Sequence, residues 1–484
     1  MNYRMVGRII SQILGVEAVF MLPALIISIC SNEDAAVRGF VCTMLLLVAA
    51  TVGLFLICRK AKKKIYAREG FVCVAFGWIF MSLFGCLPFV ISGEISGFID
   101  ALFEIVSGFT TTGASVLSNV EGLSDGMLYW RSFSHWLGGM GVLVFLLAIA
   151  PAGGKDNAFT MHILRAESPG PDVGKLVPRM RKTAGILYIL YVLLTIVDMI
   201  FLLFGKMPVL EAVCTAFGTA GTGGFGVKND SLASYSPYIQ NVCTVFMLLF
   251  GVNFSCYYML ILGHFKEVFK DQELRLYLSL VLGSVIVIAI NISKMYSGVG
   301  ETIRHAFFQV ASIITTTGFA STDFDLWPTL SKTILIMLMV VGACAGSTGG
   351  GLKCGRALLI LKSLRRNVRK AINPQKVQVV RNNGHMVSEK VLDNTHAYLV
   401  AYVLIMLLSF LLVSIDGQSL TTTFTAVVAC FNNIGPGFDG VGPTCNYAMF
   451  GPFSKIVLIV DMLAGRLEIF PILILFTRGI WKKK

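Results

Sequence analysis

The sequence predicts an all-α polytopic membrane protein: two N-terminal spanning helices, then four pseudo-symmetric helix–pore-helix–helix repeats around one central pore. Three observations predict it. The chain of 484 residues is 55% hydrophobic and only 14% charged, too apolar for a soluble globular protein. Many segments exceed the roughly 18 apolar residues that read as a spanning helix. A short glycine element also recurs four times, each after an apolar segment too short to cross a bilayer. The elements are Thr110-Thr111-Thr112-Gly113, Thr222-Gly223-Gly224-Phe225, Thr315-Thr316-Thr317-Gly318-Phe319 and Asn432-Asn433-Ile434-Gly435.

The N-terminal extension, residues 1–68, carries hydrophobic segments near 9–30 and 39–58. No small-residue cleavage pattern follows the first, so it reads as an uncleaved spanning helix. The first repeat, 69–155, places helices near 70–92 and 128–150 around a short element at 98–115, with its loop at 110–115. The second, 156–263, has helices near 183–205 and 237–262, a short element at 208–226 and a loop at 219–226. In the third, 264–393, helices near 275–295 and 330–362 flank 301–319, with a loop at 315–321. The fourth, 394–484, has helices near 395–415 and 453–480, a short element at 419–438 and a loop at 432–438.

Loop charge orients this layout. Residues 59–68 carry six Lys/Arg, and 353–390 carry ten with one acid, Glu389. Residues 153–182 carry six against three acids, and the chain ends Lys482-Lys483-Lys484. The alternate loops 94–127 and 416–452 hold five and two acids and no Lys/Arg. By the positive-inside rule both termini face the cytoplasm. The net charge of +13 is thereby absorbed by topology, and with no soluble basic domain a nucleic-acid partner is excluded. The twelve cysteines mostly sit in apolar segments without Cys-x-x-Cys spacing. They read as small core residues, not as disulfide or zinc sites.

A short helix of about 12 residues is roughly 18 Å long, about half a bilayer. Its return limb is not helical, and such backbone survives at membrane depth only if buried or lining a water-filled cavity. Four such limbs imply a shared pore. A dehydrated monovalent cation needs oxygens to replace its water, and backbone carbonyls supply them without a full charge. Gly113, Gly224, Gly318 and Gly435 supply the φ freedom that turns carbonyls inward. The pairs Thr111 and Thr112, Thr222 and Gly223, Thr316 and Thr317, Asn433 and Ile434 are expected to donate those carbonyls. The short helices end toward the loops, with their negative dipole ends facing the cation. The outer acids Glu94, Asp125, Asp230, Asp323, Asp325 and Asp439 either concentrate cations at the mouth or are ordinary solvated residues.

Two further features lie at membrane depth. Residues 342–351 hold five glycines, Gly342, Gly346, Gly349, Gly350 and Gly351, followed by Lys353. That stretch makes a poor helix interior and reads as a gating loop at 341–353 facing the pore. It lacks the Gly-Lys-Ser/Thr of a phosphate loop, and no soluble strand precedes it. In the last helix, Arg466 either projects a charge into the pathway or is tied into a structural network with Glu468 or Asp461, because charges inside a span face a cavity or each other.

These stretches together, with Ala345–Lys353 and Gly465–Pro471, resemble the TrkH family of pore-forming subunits in bacterial Trk potassium uptake systems, within the superfamily of Trk, Ktr and HKT transporters. The resemblance covers essentially the whole chain, and the two extra N-terminal helices favour it over the shorter KtrB type. It implies potassium uptake across the bacterial cytoplasmic (inner) membrane, one pore per chain and a homodimer. It also implies a cytosolic TrkA-like ring that binds NAD or ATP/ADP and controls the gate. No Rossmann Gly-x-Gly-x-x-Gly occurs in a soluble setting here, so no cofactor is expected in this chain beyond the transported K+, with Rb+ or Na+ as possible companions. The resemblance assigns the gate to Gly342–Lys353 and a barrier role to Arg466. Departures in the second and fourth loops leave open a sodium-permeable or Na+- or H+-coupled member of the superfamily. A broken-helix secondary transporter would need halves of opposite topology. The six histidines form no nucleophile–base pattern, so an enzyme is not expected.

Overall fold

Asn2 begins the chain's first helix by accepting the Met5 N–H on its side-chain oxygen at 3.3 Å, a standard N-cap arrangement. A computed structural model describes residues 1–59, 67–139, 141 and 180–477. The basic loops at 60–66 and 153–179, the expected continuation of the helix beyond Gly139 and the final lysines lie outside the described residues. The first span runs Tyr3–Phe20 and, after a break at Met21, Leu22–Cys30, where Pro23 sits in the first turn of the second piece. Asp34–Ile57 returns antiparallel to it.

The four units follow in the expected order. The first has Ala67–Gly85 continued by Leu87–Ser92, a short helix Phe98–Phe109, and an inner helix described as Asp125–Gly139. The second has Met180–Phe204, Val209–Gly221 and Pro237–Phe250. Its inner helix is not the single 237–262 rod expected: it turns by 87° into Phe254–Ile261. Gly251 and the helix cap Asn253, whose side chain accepts from Ser255 N–H, make that corner. The third has Gln272–Ile292, Val299–Ile314 and Thr329–Val341, then a loop and Cys354–Ile372. A two-residue antiparallel hairpin, Arg381–Asn382 against His385–Met386, leads to the fourth unit. That unit has Glu389–Val413, Leu420–Phe431, Pro452–Arg466 and Phe470–Leu475.

Among the described residues, six helices are long and apolar enough to cross a membrane, and the bent pair adds a seventh. The inner helices are short instead: those of the second, third and fourth units span 14, 13 and 15 residues before they break. The chain is therefore a multi-pass membrane protein whose inner layer is built from half-length segments.

Burial follows lipid rather than water as solvent. The outer helix Glu389–Val413 exposes Val400, Leu404, Leu407, Leu408 and Leu411. The buried set instead includes Ser107, Thr110–Thr112, Ser312, Thr315–Thr317, Asn432 and Asn433. Apolar surface faces outward and hydroxyls and amides face the centre, as the bilayer requires of groups that would otherwise go unsatisfied.

Candidate ion-conduction site

Each short helix ends in the same hydrogen-bonded cap. In the first, Thr111 N–H donates to Gly108 O at 3.0 Å and Thr112 N–H to Ser107 O at 2.8 Å. The pairs Thr222 to Thr219 and Gly223 to Gly218, Thr316 to Ile313 and Thr317 to Ser312, and Asn433 to Cys430 and Ile434 to Ala429 repeat it at 2.8–3.2 Å. This is the Schellman pattern, which puts its C′ residue, here the one two before the glycine, in the left-handed region. The residues there are Thr111, Thr222, Thr316 and Asn433, with φ between 53° and 58°. A β-branched residue is a genuine outlier in that region. Three threonines held there mark a backbone over-determined by its surroundings, as functional sites are. Asparagine tolerates the left-handed region, so the fourth loop keeps the backbone without a threonine.

Two residues later come Gly113, Gly224, Gly318 and Gly435, with φ of 79°, 76°, 83° and 94°. Their surroundings close a ring. A Cβ on Gly113 would lie 2.1 Å from Gly223 O, one on Gly224 1.9 Å from Thr317 O, and one on Gly318 2.0 Å from Ile434 O. A Cβ on Gly435 would lie 2.7 Å from Thr112 O. Each loop thus presses its glycine against the carbonyl that precedes the glycine of the next loop, in the order first, second, third, fourth, first. All twelve predicted residues come together here, and the four glycines are required by space as well as by φ.

The departures among the loops have local causes. A Cβ on Gly223 would sit 2.2 Å from the His135 ring. His135 comes from the first unit's inner helix and occupies the space that a side chain at position 223 would need. Its Nδ1–H donates to Gly108 O at 2.7 Å, and Nε2 accepts from Phe225 N–H at 3.2 Å. In the fourth loop Asn433 Nδ2 donates to Thr112 Oγ1 at 3.0 Å and Met462 O at 2.9 Å. Tyr402 O–H donates to Asn432 Oδ1 at 2.8 Å, and Tyr447 O–H to Gly435 O at 2.7 Å.

Sequence reading missed His135 and also Glu104 and Arg131. Arg131 Nε donates to Glu104 at 2.6 Å, Nη1 donates to Gly226 O at 3.0 Å, and the guanidinium lies 3.5 Å over Phe225. Glu104 also accepts from Val116 N–H at 2.9 Å and from the Ser115 hydroxyl. The pair ties the outer limbs of loops one and two together. The one available signal was a charged pair inside apolar segments.

Outside the ring lies a cavity of about 140 Å³ bordered by all four glycines, with Arg131 and Lys228 in its lining. No Asp or Glu lines it among the described residues. Of the two readings given for the outer acids, their contacts favour the local one. Glu94 holds Ser124, Asp125 holds Ser31, Asp325 pairs with Lys332 at 2.9 Å, and Asp439 accepts from Ser419 and Thr422. These bonds draw Asp439 below the usual carboxylate range, the Ser419 hydroxyl first.

Inside the ring lies the glycine-rich loop between Val341 and Cys354. Gly342, Gly346 and Gly351 have φ of 71°, 72° and 76°, and Lys353 has φ 73°. Gly350 N–H donates to Thr316 Oγ1 at 2.6 Å, directly on a left-handed threonine of the ring. A Cβ on Gly350 would lie 2.5 Å from Asn432 O, and one on Gly349 2.9 Å from Thr315 O. The loop therefore sits against the inner ends of loops three and four, where side chains are excluded. Arg466 reaches across from the fourth unit. Its Nη1 donates to Thr348 O at 2.8 Å, and its Nη2 to Gly139 O at 2.6 Å and to Gly138 O. Of the two carboxylates considered with it, Glu468 is held by Lys353 at 2.9 Å and by Arg356, and Asp461 accepts from Ser409 at 2.6 Å.

Comparison with known proteins adds a second line of support. The TrkH family model, described as a cation transport protein, matches residues 37–483. The chain is 34% identical over 490 residues to the Trk system potassium uptake protein TrkH of Salmonella typhimurium, covering all of both chains. It is 34% identical over 493 residues to that of Halomonas elongata, again end to end. The crystal structure of the potassium transporter TrkH from Vibrio parahaemolyticus superposes with a TM-score of 0.89 at 31% identity, covering 100% of each chain.

Proposed function

This chain belongs to the TrkH family of cation transport proteins, and we propose on that premise that it is the potassium-conducting subunit of a Trk-type uptake system. The observation that carries the reading is the cyclic closure of the four loops, each glycine packed on the next loop's carbonyl. Carbonyls of Thr111, Thr112, Thr222, Gly223, Thr316, Thr317, Asn433 and Ile434, with those of the four glycines, replace the ion's water. Four short helices of 12–16 residues end at the ring, and their C-terminal dipole ends favour a cation there. The backbone repeats even where the side chains differ, which supports one coordination geometry at all four quadrants and so potassium over sodium.

In this reading the loop Gly342–Lys353 obstructs the inner end of the filter. Arg466 places a positive charge beside that obstruction and holds the loop through Thr348 O. A cytosolic nucleotide-binding ring of the TrkA kind opens it, a second copy of the chain completes a homodimer, and the termini face the cytoplasm of a bacterial inner membrane. The relatives' names, which speak of a Trk system, support a multi-subunit assembly.

The test is rubidium-86 uptake into proteoliposomes of the purified chain, with potassium or sodium as competitor, with and without the ring. Block by potassium and not by sodium is the expected result. Equal competition by sodium would favour the sodium-permeable alternative. No uptake under any condition would remove the pore reading.

A further inference from the structure

The glycine-rich loop is anchored on its cytoplasmic side by two carboxylates from different units. Glu273, at the start of Gln272–Ile292, accepts from Ala345 N–H at 2.6 Å. Glu468 binds the other end. It accepts from Lys353 Nζ at 2.9 Å and from Arg356, with its own side chain only 5% exposed. Lys353 is the last residue of the loop, and Arg356 lies in the first turn of Cys354–Ile372.

Glu468 lies in the break between Pro452–Arg466 and Phe470–Leu475, two residues from Arg466. The backbone there is strained on both sides of the contact: Lys353, Glu468 and Ile469 have φ of 73°, 55° and 66°. L-residues hold such conformations only where their surroundings over-determine them. Arg356 also stacks 4.1 Å over Tyr398 of Glu389–Val413. The helix that begins at Cys354 carries Lys362, Arg365, Arg366, Arg369 and Lys370, and Leu361, Leu364, Val368 and Ile372 are exposed on it. A force on that helix reaches the loop first through Lys353 and Arg356.

We infer that Glu468 is a latch: its two ion pairs pin the cytoplasmic hinge of the loop to the end of the last inner helix, and breaking them releases the loop. The inference rests on the obstructing role proposed for the loop. A buried carboxylate shared by two cations is costly to leave with one partner missing, so the contact is two-state rather than graded. Glu468 acts through the loop and touches no ion; it is a positioning residue.

The experiment is rubidium-86 uptake by full-length Glu468→Gln in proteoliposomes without any cytosolic partner. The expected result is about a tenfold rise over the unsubstituted chain, equivalent to about 1.4 kcal/mol in the gate equilibrium. Potassium-over-sodium competition should stay close to its original value. Arg356→Gln approaches the same contact from the other side and serves if Glu468→Gln does not fold. Glu389→Gln, which removes an exposed pair with Arg366, should leave uptake unchanged. A chain lacking 346–350 separates the two readings. If that deletion raises uptake while neither latch variant does, the latch is refuted and the obstruction stands. If neither deletion nor latch variants raise it, the obstruction fails and the latch with it. A rise accompanied by lost ion discrimination identifies Glu468 as a fold pin and overturns the latch.

Discussion

Consider Gly318→Ser. At φ 83° a side chain lies in the left-handed region, which costs an L-residue roughly 1–2 kcal/mol. The new Cβ would lie 2.0 Å from Ile434 O and 2.9 Å from Pro436 Cδ. Ordinary carbon contacts begin near about 3.5 Å, so the carbonyl must retreat by roughly 1.5 Å. Overpacking of a close-packed site costs about 1–3 kcal/mol. The sum, roughly 2–5 kcal/mol, is below the 5–15 kcal/mol typical of whole-protein stability, so the protein should fold and reach the membrane. A binding constellation tolerates only about 0.5 Å of displacement, so the carbonyl ring should not function. The expected outcome is a loss of rubidium-86 uptake of about tenfold or more, with potassium no longer discriminated from sodium, in protein that still elutes as a single species. Gly224→Ser, where the approach is 1.9 Å, should be as severe. Gly435→Ser, with 2.7 Å to Thr112 O, should be the mildest of the four. Selective uptake at the original rate in Gly318→Ser would refute the assignment of these carbonyls to the ion path.

Other predictions follow from neighbouring contacts. Gly223→Thr copies the first and third loops in sequence but drives a side chain into the His135 ring, 2.2 Å from the glycine's Cβ position; uptake should fall, and His135→Ala should partly restore it. Failure of that restoration would dissociate His135 from the shape of the second loop. Arg466→Ala removes the donor shared by Thr348, Gly138 and Gly139 and should raise partner-independent uptake several-fold; unchanged flux would end its barrier role. Asp439 has its folded pKa lowered by hydrogen bonds from Ser419 and Thr422. A lowered carboxylate stabilises fully above its unfolded value of about 3.9 and loses that stabilisation as pH falls through the folded pKa. The difference in thermal midpoint between the protein and Asp439→Asn should therefore be largest near neutral pH and shrink below about pH 4; a difference that grows in acid would contradict the bonding seen.

Much of this molecule is legible along the chain because the bilayer permits few solutions. Spanning length, positive-inside charge and the four-fold recurrence of glycine elements placed the units and the loops. The broken helix of the third unit was visible as Gly342–Gly351, whereas the fourth unit's last helix, expected as one rod over 453–480, breaks between Arg466 and Phe470. The 87° corner after Phe250 was not visible, because a single Gly251 in an apolar run is compatible with a continuous helix. His135 was invisible as well: a lone histidine in an apolar segment carries no pattern, and its role depends on Gly223, nearly ninety positions away.

Composition, hydropathy period and glycine spacing by themselves determined a multi-pass helical protein with four re-entrant loops, since those properties are local or repeat at fixed intervals. The tertiary structure alone decided which carbonyl meets which glycine, that the mouth acids serve local bonds, and that Arg466 holds carbonyls while Glu468 holds Lys353 and Arg356. Those partners lie far apart along the chain, and hydrogen-bond direction and close packing select among them only once the four units have closed on one another.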